Sequence, residues 1–236
     1  MPVPLLRALS KLRLASRKDA KDLILAGRVR VDGRVATRPT QPVSLERARI
    51  EIDGVKTTAS RARRVIAFHK PRGTVTTRRD PEGRTTVFDV LGEEADGLVA
   101  VGRLDRASTG LLLLTNDTDL ANRLTDPSSR TVRRYVVTVR GKVEPDTARQ
   151  LEGGLAVRDA QGGTERLAAT RVTIRKASNR ETHLIVELTE GKNREIRGLF
   201  EAAGHEVTRL HRVSFGEFEL GTLQPGKWRE ERVDPL

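Results

Sequence analysis

A chain of 236 residues with 36% hydrophobic content can build a core without a disulfide or metal staple, and its 44 Lys and Arg against 32 Asp and Glu give a formal net charge of +12. The absence of Cys excludes disulfide frameworks and thiolate zinc sites and fits a reducing compartment, so the cytoplasm is expected. The N-terminus lacks the apolar core of a secretory signal, and no apolar run approaches the ~20 residues of a membrane helix, so neither export nor a membrane partner is expected. The charge is uneven. Residues 1–64 hold 16 Lys and Arg against 6 Asp and Glu, while the rest of the chain is nearly neutral, which is the footprint of a polyanionic partner such as nucleic acid.

In chain order, Leu5, Leu6, Leu9 and Leu12, then Ala20, Leu23 and Ile24, recur at helical spacing, with Ser16 and Asp19 as an N-cap pair and Gly27 as a stop. RVRVDGRVA alternates Val with Arg around Asp32-Gly33, a two-residue hairpin signal, and RARIEIDG (47–54) repeats the alternation. No Phe, Trp or Tyr occurs in residues 1–64, so base stacking on an aromatic platform is excluded there. The stretch ASRKDAKDLILAGRVRVDGRV resembles an S4 RNA-binding domain over about fifty residues. That resemblance makes Arg17, Lys18, Lys21, Arg28 and Arg30 candidates for an RNA-facing edge, although the LLRALSKLRL opening departs from the family's more polar first helix. The expected organisation is an S4-like domain at 1–54, a basic linker at 55–64 and a larger domain at 65–236.

The larger domain shows strand-like runs at 64–68, 98–101, 111–115, 133–140, 169–175 and 182–188, and helical spacing at 119–124, 144–154 and 192–204. Strands outnumber helices without alternating regularly with them. The class is therefore α+β, with a mixed, largely antiparallel sheet flanked by helices.

GRLDRASTGLLLLTND (102–117) sets Asp105 between Arg103 and Arg106 at the mouth of an apolar strand. By its chemistry alone Asp105 is either a reacting carboxylate or a structural ion pair at a turn. Little else competes for a catalytic role. The four His lack metal-ligand spacing, no Ser sits in G-x-S-x-G and there is no GxxxxGK[ST] loop, so neither a metal nor another cofactor is expected.

VGRLDRASTGLLLLTND resembles the GRLD motif of the RsuA/RluB-type family of ribosomal RNA pseudouridine synthases. FHKPRGTVTTRRDPEGRTTVFDVL (68–91), RRYVVTVRGKV (133–143) and the run from Glu190 to Glu230 are similar to that family's further motifs, so the likeness spans nearly the whole chain. The resemblance implies Asp105 as catalytic carboxylate and Tyr135 packed on the target base as a mover of a proton at C5. It also implies Arg197 paired with the carboxylate, Leu210 lining the pocket and Arg103 helping to open the RNA helix. Lys70, Lys192 and Arg194 are implied as phosphate or pocket contacts. Departures are Ser108 for a usual Thr, Thr118 and Asp126 in the following segment, and Gly198 where a second Arg is frequent. The function implied is conversion of uridine to pseudouridine in ribosomal RNA, with DPEGRTTVFD closer to the large-subunit members and so to a 23S target. Alternatives are 16S rRNA or tRNA as substrate, or an RNA-binding assembly factor on the same fold. The partner is then ribosomal RNA or a ribosomal assembly intermediate, and with no heptad seam a monomer is expected.

Overall fold

The computed structural model describes residues 2–12, 14–45, 47–56, 63–158, 162–192 and 194–232. The N-terminal module consists of β1 (Val3–Pro4), α1 (Leu5–Lys11), α2 (Arg17–Leu25), β2 (Val29–Val31), β3 (Arg34–Val35), β4 (Pro42–Val43), β5 (Ile50–Ile52) and β6 (Val55–Lys56). Ser16 caps α2, its hydroxyl accepting from the Asp19 amide at 3.2 Å while donating to the Asp19 carboxylate at 2.7 Å. Both Asp-Gly pairs turn through positive φ, 51° and 81° at Asp32-Gly33 and 52° and 77° at Asp53-Gly54, as a tight two-residue hairpin demands. The sheet order is β3-β2-β5-β6, and its apolar side closes on Leu5, Leu9, Ala20 and Ile24.

Two ends of the expected linker are structured. Val55 and Lys56 form β6, paired with β5, because the second Asp-Gly turn sends the chain back along that strand. Arg63 and Arg64 are tied to the larger domain, Arg63 Nε to Asp117 at 2.7 Å, and Arg64 to Glu94 at 2.7 Å and Glu230 at 2.5 Å. Residues 57–62 lie outside the described residues.

The larger domain contains β7 (Val65–Lys70), α3 (Val87–Leu91), β8 (Val99–Val101), β9 (Thr109–Thr115), α4 (Thr118–Thr125), β10 (Arg133–Arg140), α5 (Pro145–Gly153), β11 (Leu155–Arg158), β12 (Thr164–Leu167), β13 (Arg171–Ala177), β14 (Glu181–Leu188), α6 (Glu195–Ala202), β15 (Val207–Phe215), β16 (Phe218–Glu219) and β17 (Trp228–Glu230). The main sheet runs β13-β14-β10-β15-β9-β7-β17. Its described pairings are antiparallel except β15 with β9, which is parallel, so the sheet is mixed as the sequence suggests.

The run Leu111–Leu114 shows why four leucines stand in a row. Side chains alternate across a strand, and here both sides are buried. Leu112 and Leu114 join Ile66, Phe68, Val137 and residues of α3, α5 and α6, while Leu111 and Leu113 join Ala67 and the apolar side of α4. Helix α1 meets α4 where Lys11 approaches Asp119 at 3.5 Å.

Candidate active site

The site grows from the loop between β8 and β9. This loop leaves the sheet at Gly102, presents Asp105 and re-enters at Thr109. It is clamped to the preceding H-K-P-R-G segment and the residues that follow. The Thr76 hydroxyl donates to the Leu104 carbonyl at 2.9 Å, the Gly73 amide donates to the Arg106 carbonyl at 2.8 Å, and the buried Lys70 ammonium donates to the Ser108 carbonyl at 3.0 Å. Three anchors spaced along five residues hold the carboxylate-bearing turn rigidly, the condition for a positioned reactive group.

Asp105 faces cations from elsewhere in the chain. Its Oδ2 lies 3.9 Å from Arg197 Nε and 4.0 Å from Arg194 Nη1, at and just before the start of α6. The flanking Arg103 and Arg106 are exposed, and Arg106 Nε turns away to the Gly73 carbonyl at 3.3 Å. The sequence neighbours are therefore not the carboxylate's partners, because the tight turn directs their side chains outward. Arg197 is fixed by donation from Nη1 to the Val207 carbonyl at 2.8 Å. Burial lowers its pKa, and the nearby Arg194 lowers it further.

Lys70 narrows the expectation of a phosphate or pocket contact. It stands at the end of β7, wholly buried, and its amine donates to the Pro71 and Ser108 carbonyls, so it anchors the loop and does not face a phosphate. Burial pushes its pKa down to about 8, with the Asp105 charge opposing that fall. Lys192 is likewise drawn away, pairing with Glu165 at 2.7 Å and Glu190 at 3.0 Å. Leu104, beside Asp105, shares one apolar cluster with Tyr135, Val137 and Leu210, and Leu210 pairs with Val137 across β10 and β15. Leu104 thus ties the loop to the apolar cluster that also holds the chain's only Tyr.

In the N-terminal module Arg17, Lys18 and Lys21 are exposed on α2. Arg28 is engaged by Asp53 through two bonds of 2.7 and 2.6 Å, which compromises it as a phosphate contact. Arg30 is exposed and reaches the Gly33 carbonyl at 3.2 Å.

Residues 64–202 match the family model described as RNA pseudouridylate synthase, and residues 3–47 match the S4 domain. The chain belongs to the RNA pseudouridylate synthase family. It is 40% identical to Ribosomal large subunit pseudouridine synthase B of Salmonella typhi, over 98% of this chain and 79% of that one. It is 35% identical to an uncharacterized RNA pseudouridine synthase of Aquifex aeolicus, over 98% and 90%. A crystal structure of a pseudouridylate synthase, 24% identical, has the same fold with a TM-score of 0.67, covering 98% of this chain and 96% of that one.

Four residues in or near this synthase's candidate site carry no signal as individual participants in the sequence. Thr76 and Gly73 clamp the loop, and Arg72 adds positive potential at Arg197. All three lie in the motif run after Lys70, but a hydroxyl or amide that bonds a carbonyl leaves no compositional trace. The fourth is Glu195, the first residue of α6. It is buried, accepts from the Lys192 amide at 3.1 Å, and burial pushes its carboxyl up to about 7.

Between the ordinary carboxylate value and pH 7 the folded synthase keeps a proton on Glu195 that the unfolded chain has lost. Folding stability therefore falls as pH rises through that window. Glu195→Gln keeps the acceptor and removes the charge. At pH 8 it is expected to stabilise the synthase by about 1–2 kcal/mol relative to its effect at pH 5. Thermal melts of both proteins at the two pH values check this, and an equal difference at each would contradict it.

Proposed function

We propose that this synthase isomerises a uridine of large-subunit ribosomal RNA to pseudouridine, with Asp105 as the reacting carboxylate. The observation that carries the role of Asp105 is the triply anchored loop that delivers its carboxylate to the guanidinium groups of Arg194 and Arg197. The RNA class comes from the relatives named for the ribosomal large subunit, and the N-terminal cations suit a polyanion. A cytoplasmic site of action goes with that substrate.

The isomerisation breaks N1–C1′, turns the uracil and forms C5–C1′. C5 loses its hydrogen and N1 gains one, so no redox partner or energy input is needed. The carboxylate serves either as nucleophile at C1′ or as base at C2′–H, giving a glycal. Arg197 orients it in both routes. Tyr135 packs on the base and shuttles the proton at C5, and Leu210 completes the apolar wall. Burial by these walls keeps water from the separated sugar and base.

The target uridine must leave its stack, at a cost of a few kcal/mol. Contacts from the exposed cations of α2 offset it. Each phosphate neutralised by a cation adds ~0.7–0.9 to the slope of log K against log salt for RNA binding. Replacing Arg17, Lys18 and Lys21 together by Gln is therefore expected to flatten that slope by about 2. An unchanged slope would remove α2 from the RNA interface.

The deciding experiment for the function uses 23S and 16S rRNA carrying tritium at C5 of uridine, incubated with the protein and no additive. Release to water from 23S alone supports the proposal. Release from 16S alone transfers the substrate to the small subunit. If naked RNA gives nothing, the same assay on partly assembled large-subunit particles is the final test, and silence there overturns the isomerase reading.

A further inference from the structure

The two arginines that face Asp105 also line a space of their own. A groove of about 550 Å³, within the range of small-ligand sites, begins at Arg194 and Arg197 and continues along α6 past Glu201 to His205, Glu206 and Val207. Arg197 and Glu201 are four residues apart on α6 and share one side of the helix, while Arg194 stands just before its start. From the start of α6 to Glu201 the groove spans ~9 Å of helix rise, the scale of one nucleotide from phosphate to base edge.

Its two ends have opposite chemistry. The end beside Asp105 offers guanidinium donors. At the far end, His205 Nδ1 lies 3.2 Å from the Arg140 carbonyl, so Nδ1–H donates there. Glu206 is committed to Arg140 at 2.8 Å, whereas Glu201 makes no ion pair among the described residues. A phosphate is repelled by this carboxylate end, and an apolar ligand leaves its polar groups unused. A nucleotide with its phosphate at the arginines and a base N–H donor at Glu201 satisfies both ends.

Resting on the isomerase reading, we propose that this groove holds the nucleotide next to the target uridine. In it Glu201 selects a guanine neighbour over uracil. Single-stranded or splayed RNA is read at such base edges: guanine offers a carboxylate two adjacent donors, N1–H and its 2-amino group, whereas the one N–H of uracil is flanked by O2 and O4, which repel it.

The test uses short target RNAs in which the nucleotides 5′ and 3′ of the uridine are varied one at a time, with the wild-type protein and Glu201→Ala. Both binding affinity and tritium release are read. At one of the two positions the wild type is expected to prefer guanine over uracil by about tenfold in affinity and in kcat/KM. In Glu201→Ala that preference shrinks to within about twofold. Equal preference in the two proteins, or no preference at either position in the wild type, overturns the subsite. If tritium release is absent throughout, the isomerase reading falls and the affinity series still decides the groove.

Discussion

Asp105→Asn is expected to reduce tritium release from the target RNA by about 10⁴-fold or more while leaving the melting temperature within ~2 °C. The size follows from the role: whether the carboxylate attacks C1′ or removes a proton, the amide does neither, and such groups contribute several orders of magnitude. The small effect on stability follows from the contacts. Asp105 is one-third exposed and its ion pairs are 3.9 and 4.0 Å long, while the loop is held by Thr76, Gly73 and Lys70 through backbone carbonyls that the substitution leaves in place. Activity within tenfold of wild type would remove the carboxylate from the chemistry. A large fall in melting temperature would make it a structural residue.

Gly110→Ala is expected to do the reverse and destroy the fold's central joint. Gly110 has φ of +105°, and a Cβ there would lie 2.6 Å from the Arg212 nitrogen and closer still to its carbonyl oxygen. Those are backbone atoms of the neighbouring parallel strand, which cannot swing aside like the tip of a side chain. The positive φ and the overlap together are expected to cost about 3–5 kcal/mol, or about 10 °C in melting temperature for a domain of this size. A thermal melt checks it. A melting temperature equal to wild type would mean that β9 and β15 do not approach so closely.

Much of the fold is legible in the sequence because burial and period agree. The run 133–140 alternates and forms β10 over those same residues, and the Asp-Gly pairs turn as their φ preferences require. β15 escapes the strand pattern because VTRLHRVSF carries two Arg and a His, yet Arg212 is buried. Its Nε donates to the Leu111 carbonyl at 2.7 Å and its guanidinium lies 4.9 Å from the Phe215 ring, so a charged residue sits in a central strand through partners no pattern reveals. α3 escapes notice because it is only five residues long, and its Thr86–Asp89 capping box sets its start.

In the candidate site, the resemblance points to Asp105 and Arg197, and the structure brings them to one spot. The lysines are where the sequence says least. Lys70 and Lys192 look alike as motif cations, but one is buried beneath the loop and the other is spent on two glutamates. Gly198 has a packing reason in this chain, since a Cβ there would stand 2.7 Å from Val157 Cγ1. The hairpin of β11 and β12 occupies the space that an arginine in its place would need.

The position of β15 also governs when the molecule becomes competent. It lies between β9 and β10 although both precede it in the chain, and it follows directly from the helix that supplies Arg197. A chain emerging during synthesis therefore carries two half-sheets with bare inner edges until residue 215 or so has appeared. Such edges invite association with other chains, and their long-range closure makes for slow folding. Until that strand inserts, Asp105 and its arginines belong to separate pieces, so a growing or truncated chain has no assembled site, whatever RNA its N-terminal module has already gripped.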